Sequence, residues 1–303
     1  MRARIRLATL LALLVSATLL AVQPAQPARS TTSLGPAERI ADGVELYRLD
    51  DPNLLSPPGP VAVQALRLDP GKVRVEMGIA GDRLPARETV PAIANRRGAL
   101  AAVNAGFFAL ADGAPAGFLK HRGTVLGRSR RARGAVAFTE RSGKTRLLFD
   151  RVSVVLPPKG KLQYDTKLGS SAKDWARAGH AVGGAGLLML NGRVLTEWAD
   201  EQLSAVFDTT RHPRTLIGVD AQDAIWLVTV DGRQPVLSLG MSFTELQGLS
   251  RRLGLRSSLN LDGGGSTTMV VRGNVVNHPS DQTGPRKVSD AILVFARNRR
   301  TEY

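Results

Sequence analysis

Three observations predict a strand-rich α+β fold, a mixed sheet with few helices, in a single folded domain. Short runs in which apolar and polar residues alternate recur along the chain, the pattern of half-buried strands. Glycine and proline supply 31 and 17 of the 303 residues, which suits frequent turns better than a helical bundle. Helical periodicity, by contrast, shows only twice. With 43% hydrophobic and 22% charged residues the composition is globular, and the length is ample for a core.

In chain order, residues 1–28 read as a secretory signal. Arg2, Arg4 and Arg6 precede an apolar run over 7–22, and Pro24 and Pro27 follow it. The run is about 16 residues, short of the roughly 20 a spanning helix needs, and an uncleaved N-terminal anchor is the alternative. Residues 29–40 are polar and are expected as a linker, with the folded domain over 41–303. Strands are expected at 44–49, 61–68 and 73–77, then a short helix over 88–97 stopped at Gly98, then a buried strand 100–103 that delivers Asn104. Further strands are expected at 135–138, 145–149, 152–156, 186–190, 193–195, 214–219, 225–230, 257–261, 268–271 and 291–296. Asn191-Gly192 between two apolar runs predicts a tight hairpin, and the polar stretch 157–173 a loop. The second helix is better defined. Ser242 and Glu245 form a capping box, Leu246, Leu249 and Leu253 share a face, and Gly254 stands at the stop position.

Composition narrows the function. The formal charge is +15, from 41 basic and 26 acidic residues; without Arg2, Arg4 and Arg6 it is about +12 (38 − 26). Such a surface favours anionic partners. Export and the scarcity of aromatics (three Trp, three Tyr, eight Phe) argue against nucleic acid and towards an anionic glycan or sugar phosphodiester. The expected setting is secreted or periplasmic, with membrane contact only through an uncleaved anchor. The absence of cysteine excludes a lipid-modified cysteine, a disulfide scaffold and a thiol nucleophile.

The most informative segment is Asn260-Leu261-Asp262-Gly263-Gly264-Gly265-Ser266. Consecutive glycines cost backbone entropy, yet they let amide groups converge into an anion-binding nest; a tight connection with Asp262 as a turn residue is the structural alternative. The spacing is not that of a nucleotide P-loop. Asp262 can act as nucleophile, general base or metal ligand. In Val103-Asn104-Ala105-Gly106-Phe107-Phe108, Asn104 offers a donor and an acceptor to a sugar hydroxyl, or simply ends a strand. In Arg211-His212-Pro213-Arg214, the Arg214 guanidinium suits phosphate oxygens, while His212 reads as a surface residue. Asp231-Gly232-Arg233 is a turn at a strand end, where binding residues tend to sit. Glu245 first reads as a helix cap, with a chemical role as the alternative. Arg286, across a loop from Asn277, is a further phosphate contact, and His180 sits in a second glycine-rich turn to which the sequence assigns no role.

The order of these segments is more specific than any one of them. VNAGFF (103–108), RHPRTLIG (211–218), DGR (231–233), TEL (244–246), LGL (253–255), NLDGGGSTTMV (260–270), VNHPSD (276–281) and Arg286 together resemble the phosphodiester glycosidase family over roughly residues 60 to 296. The resemblance implies a sheet-dominated catalytic domain that hydrolyses the C1–O bond of a glycosyl-1-phosphodiester, releasing free sugar and a phosphomonoester. A cell-envelope glycan or exopolysaccharide fits the compartment. It also implies Asp262, Asp231 and Glu245 as catalytic carboxylates, and Asn104, Gly106, Arg214, Arg233, Asn260, Gly263, Gly264, Ser266 and Arg286 as substrate-binding residues. One departure is visible: the family commonly has two glycines after the asparagine, and here Ala105 replaces the first. A phosphate leaving group needs less protonation than a sugar alcohol, so the usual carboxylate pair can reduce to one carboxylate with cationic clamps. Asp262 is then expected at the anomeric carbon, as nucleophile or base, with Arg214, Arg233 and Arg286 on the phosphate and the Gly263–Gly265 amides donating to developing charge. No cofactor is expected; Asp231, Asp262 and Asn260 can ligate Ca²⁺ through oxygen, but no spacing demands it. The alternatives are a non-catalytic anionic-glycan-binding module and a glycosidase of the same fold acting on another linkage.

Overall fold

The computed structural model describes residues 34–297, so the signal expected over 1–28 and the start of the linker lie outside the described residues. Among the described residues no helix is long and apolar enough to cross a membrane.

Three sheets carry the domain. The first has eight strands in the spatial order Glu38–Ala41, Val44–Leu49, Val63–Leu68, Ile225–Val230, Arg214–Asp220, Leu255–Asn260, Leu187–Leu190 and Arg193–Val194. The second has six: Gln163–Thr166, Lys144–Val155, Arg133–Arg141, His180–Gly183, Leu119–His121 and Thr124–Gly127. The third has five: Asn274–Val275, Met269–Val271, Ala101–Asn104, Asp290–Ala296 and Val73–Ile79. A ribbon of Glu88–Thr89 with Lys287–Val288 completes them. Three α-helices accompany the sheets, α1 (Val90–Arg97), α2 (Ala172–Arg177) and α3 (Phe243–Arg252). The strand-rich α+β class holds. The strands are not mixed in direction, however: every pair among the described residues is antiparallel. Antiparallel neighbours can be joined by short turns, whereas parallel ones require crossovers that three helices cannot supply.

The central strand Arg214–Asp220 is buried along its whole length, and its alternating side chains serve two cores. Leu216 joins Trp226, Val228 and the α3 residues Phe243, Leu246 and Leu249 on one face. Ile217 and Val219 join Met77, Val103, Val136 and Ile292 from the other sheets on the opposite face. α3 has the capping box that its sequence predicts, and Asn191 and Gly192 both take positive φ, as a type I′ hairpin requires.

Several elements differ from expectation for identifiable reasons. Residues 38–41, inside or beside the expected linker, turn back at Gly43 (φ 73°) to pair with Val44–Leu49. The strands expected at 145–149 and 152–156 are one strand, Lys144–Val155, because the intervening Asp150 is buried and accepts the amides of Lys167, Leu168 and Ser170. The expected loop 157–173 contains Gln163–Thr166, which pairs with that same strand. Glu201 is fully buried; it accepts the amides of Gly134, Gly186 and Leu187 and an Arg151 guanidinium nitrogen, and so ties the first sheet to the second. Four donors offset the cost of removing that charge from water.

One feature of this topology places the site. Ile225–Val230 and Leu255–Asn260 flank Arg214–Asp220 and both run antiparallel to it. Their ends therefore emerge together, at the edge where Arg214 enters. Ala101–Asn104 from the third sheet arrives at the same edge, beside the start of Asp290–Ala296.

Candidate active site

Asn104, fully buried, holds this junction together. Its amide donates to the Asp262 carbonyl (2.7 Å), and its Oδ1 accepts the Thr215 hydroxyl (2.7 Å) and the Thr268 amide (3.1 Å). Beside the expected sugar contact, the side chain thus has a structural role that engages both of its polar ends. The next residue continues the stitch, with the Asp262 amide donating to the Ala105 carbonyl at 2.9 Å. Ala105 is 1% exposed and packs in the core, so its methyl group faces away from the site. The tight position is Gly106: a Cβ there would lie 3.1 Å from Asp290 Oδ1, and the Gly106 amide donates to that oxygen at 2.7 Å.

Asp262 is half-buried, with the Gly263 amide on its Oδ1 at 2.9 Å. Burial pushes its carboxyl up to about 7, against the opposing pull of Ser266, the Gly263 amide and Arg286; the neighbouring Asp290 pushes the same way as burial. Asp290 is itself buried, and burial raises its carboxyl too. Both neighbouring carboxyls are thus driven upward by burial, the condition under which paired groups can take separate protonation states. Asp290 escaped sequence reasoning. Its only signal is an acidic residue opening an otherwise apolar strand, Asp290–Ala296, where a charge has no place unless a partner is waiting.

Glycine at 263–265 serves close approach rather than an amide nest. The Gly263 amide goes to Asp262 and the Gly264 amide to the Pro213 carbonyl (2.9 Å), so neither is free for an anion. Instead the Arg233 guanidinium rests over Gly264, where a Cβ would lie 3.1 Å from its Nη2. At Gly265 a Cβ would collide with the Arg286 guanidinium and with Asp281. Arg233 is exposed and makes no ion pair among the described residues. Arg286 is oriented by a two-pronged pair with Asp281 (2.7 and 3.0 Å). Asn260 Oδ1 and the Ser266 hydroxyl are buried without a regular hydrogen-bond partner among the described residues. The Ser266 hydroxyl lies near enough to Asp262 to lower its carboxyl without reaching regular bonding geometry.

Three expected chemical residues are committed elsewhere. Arg214 is 1% exposed, lies 4.8 Å from the ring centres of both Phe207 and Phe243, and donates to the carbonyls of Met241, Phe207 and Thr210. Burial lowers it to about 10, still cationic at neutral pH, and through these three bonds it organises the 207–212 loop. Asp231 is fully buried and accepts Asn277 Nδ2 (2.9 Å), the His278 amide (3.0 Å) and Gln64 Nε2 (3.3 Å), with His278 Nδ1 at 3.2 Å. It anchors the loop that carries Asp281 and Arg286. Glu245 closes the capping box on Ser242 and accepts Arg211 and the Ser56 amide. Burial alone would raise its carboxyl, but Arg211, Ser242 and Ser56 hold it below the usual range. His212, expected at the surface, is half-buried and kept below its ordinary pKa by burial and by Arg214 and Arg233. No group of three His, Cys, Asp or Glu among the described residues is placed to hold a metal ion.

The sequence profile of the phosphodiester glycosidases matches residues 97–295, well over half of the chain. The chain belongs to this family. Among curated relatives, mouse N-acetylglucosamine-1-phosphodiester alpha-N-acetylglucosaminidase is 31% identical over 94 residues, covering 29% of this chain and 18% of the relative. The human protein of the same name is 29% identical over 118 residues (36% and 22%), and the Bacillus subtilis prophage-derived protein YomE is 32% identical over 100 (33% and 14%). The matched stretches thus span less than a quarter of each relative. Among solved structures, the catalytic domain of the zebrafish N-acetylglucosamine-1-phosphodiester alpha-N-acetylglucosaminidase superposes with a TM-score of 0.64 at 20% identity, covering 88% of this chain and 85% of that one. A hypothetical protein from Synechocystis gives 0.65 at 19% identity, covering 86% and 64%. At such identities the likeness is one of fold. Within this phosphodiester glycosidase fold, the glycine run brings the Arg233 and Arg286 guanidinium groups beside Asp262 and Ser266, with Asp290 behind Gly106.

Proposed function

We propose that the chain is a hydrolase that cleaves the C1–O bond of a glycosyl-1-phosphodiester, with Asp262 as general base. The observation that carries this reading is the placement of Asp262 at the head of a glycine floor on which the Arg233 and Arg286 guanidinium groups rest; the burial that raises its carboxyl to about 7 supports it. Family membership and the printed activity of the mammalian relatives support the same reaction class. In the reaction a water oxygen bonds to C1 and its proton passes to Asp262. The C1–O bond breaks with its electron pair going to the phosphate oxygen, which leaves as a phosphomonoester. Arg233 and Arg286 hold the phosphate and stabilise the charge it gains. A base with a pKa near the working pH combines availability with proton affinity. Burial, with Asp290 behind Gly106 adding to it, keeps Asp262 basic. The apolar N-terminal run and the net charge of +15 support an exported enzyme acting on an anionic envelope or exopolysaccharide glycan.

Incubation with an N-acetylglucosamine-1-phosphate ester of a chromogenic alcohol tests the reading. Release of free sugar with rate rising through pH about 7 is expected. Binding without turnover would instead make the chain an anionic-glycan-binding module, and turnover only on an unrelated glycosidic linkage would overturn the phosphodiester assignment.

A further inference from the structure

A charged concavity lies away from Asp262. It is a cleft of about 1190 Å³ along the seam between Val73–Ile79 and the hairpin of Arg133–Arg141 with Lys144–Val155. Its position relative to the active site follows from register. Asp290 pairs with Ile79 and Phe295 with Arg74, so Arg74, on the cleft wall, is five residues from the active-site end. That is about 17 Å along a strand.

The wall is cationic. Arg74, Arg141, Lys144, Arg146 and Arg177 line it against Glu76, Glu140 and Asp174. Glu76 is paired with Arg97 from outside the wall and with Arg74 within it, Glu140 is paired with Arg297, and Arg146 is taken up by Asp223. Arg141, Lys144 and Arg177 are exposed and have no carboxylate partner among the described residues. Arg141 and Lys144 also sit directly opposite one another across the hairpin tip. Like charges in facing positions destabilise a bare hairpin, so this pair is a local cost that a bound anion would relieve. The floor reports the same field. His180 packs edge-to-face on His121 at 5.2 Å and is held down to about 4 by burial, then by His121, Arg122, Arg74 and Arg97. The one aromatic carbon ring in the wall, Phe138, is 3% exposed and offers no platform for stacking a neutral sugar. The volume exceeds that of a typical small-ligand pocket, roughly 300–1,000 Å³.

We propose that this cleft is an accessory binding site for a linear anionic polysaccharide, gripped by Arg141, Lys144 and Arg177 through carboxylate or phosphate groups on successive sugars. The site holds a polymer by charge at a distance from the chemistry, so it raises the local concentration of chain without touching the reacting bond. The inference does not depend on the reaction proposed above, because binding is measured without turnover.

The test compares three full-length proteins by titration calorimetry with polygalacturonate, with the neutral glucan pullulan as reference. These are the wild type, Arg141→Ser/Lys144→Ser/Arg177→Ser, and a control of equal charge change, Lys159→Ser/Arg193→Ser/Arg251→Ser, all at exposed positions. The cleft variant should bind polygalacturonate about tenfold more weakly at low salt, the control should retain wild-type affinity, and added salt should erase the difference. Pullulan should bind none of them. Equal affinity in all three proteins, or equal losses in the cleft variant and the control, would overturn the proposal; the latter would mean diffuse attraction by net charge. Hydrolysis of the small chromogenic ester should be the same in the wild type and the cleft variant. Absence of that hydrolysis in both would count against the proposed reaction and leave the binding result to stand alone.

Discussion

Asp231 and Asp262 occupy nearly equivalent places. Each follows a strand that flanks Arg214–Asp220, each emerges at the same sheet edge, and each is followed by glycine. Their surroundings are opposite. Asp231 is enclosed by donors from Gln64, Asn277 and His278. Asp262 has a regular bond only from the amide of Gly263, faces a second carboxyl, and is raised to about 7. A carboxylate held by donors from three residues is a strut; one whose charged form burial disfavours keeps its affinity for a proton. What each carboxyl meets, more than its place at the sheet edge, separates the two.

Substitutions should break this contrast in a definite order. The largest effect is expected for Asp262→Asn, which should lower turnover of the chromogenic ester by about 10³-fold or more while the fold remains intact. The sign of its stability effect is specific. An acid whose folded pKa is raised favours the protonated folded state, so the wild type loses stability as pH rises from the ordinary aspartate range to about 7. The Asn variant is spared that loss, so its melting temperature should exceed that of the wild type by more at pH 8 than at pH 5. Asp231→Ala should do the reverse. It strands the Asn277 and His278 donors and should cost about 2–4 kcal/mol in urea denaturation. An Asp231→Ala protein as stable as the wild type would end its role as a strut.

Smaller effects are expected around the pair. Arg233→Ala removes an exposed guanidinium, so it should raise KM about tenfold or more for the phosphodiester with the melting temperature unchanged. A fall in stability instead would mark Arg233 as structural. The smallest change is expected for Asp290→Asn, which keeps an acceptor for the Gly106 amide but removes the charge that raises Asp262. The acidic limb of the kcat/KM profile should move to lower pH, and an unmoved limb would separate Asp290 from the chemistry.

The sequence made local features legible and left long-range ones hidden. The capping box of α3, the Asn191-Gly192 hairpin, the alternating strand Val44–Leu49 and the apolar strand Ile225–Val230 depend on neighbouring residues, and they fold as read. The glycine run was recognisable as costly, but its reason lies in Arg233 and Arg286, which reach it from other loops. Arg214 looked like a ligand because nothing local shows Phe207 and Phe243 closing on it. Asp290 acts on Gly106 across 184 residues, and Glu201 reaches Gly134 across 67; neither contact leaves a periodicity to read. The short strand Leu119–His121 was invisible because its central Lys120 is buried only by donating to the carbonyls of Trp175 and Ala176.

The central claim, that burial leaves Asp262 basic, is most directly tested by a carbon-13 NMR titration of aspartate carboxyls, with the Asp262 signal assigned by its loss in Asp262→Asn. A midpoint of about 7 is the expected result. A midpoint near the ordinary value of 3.8 would contradict it.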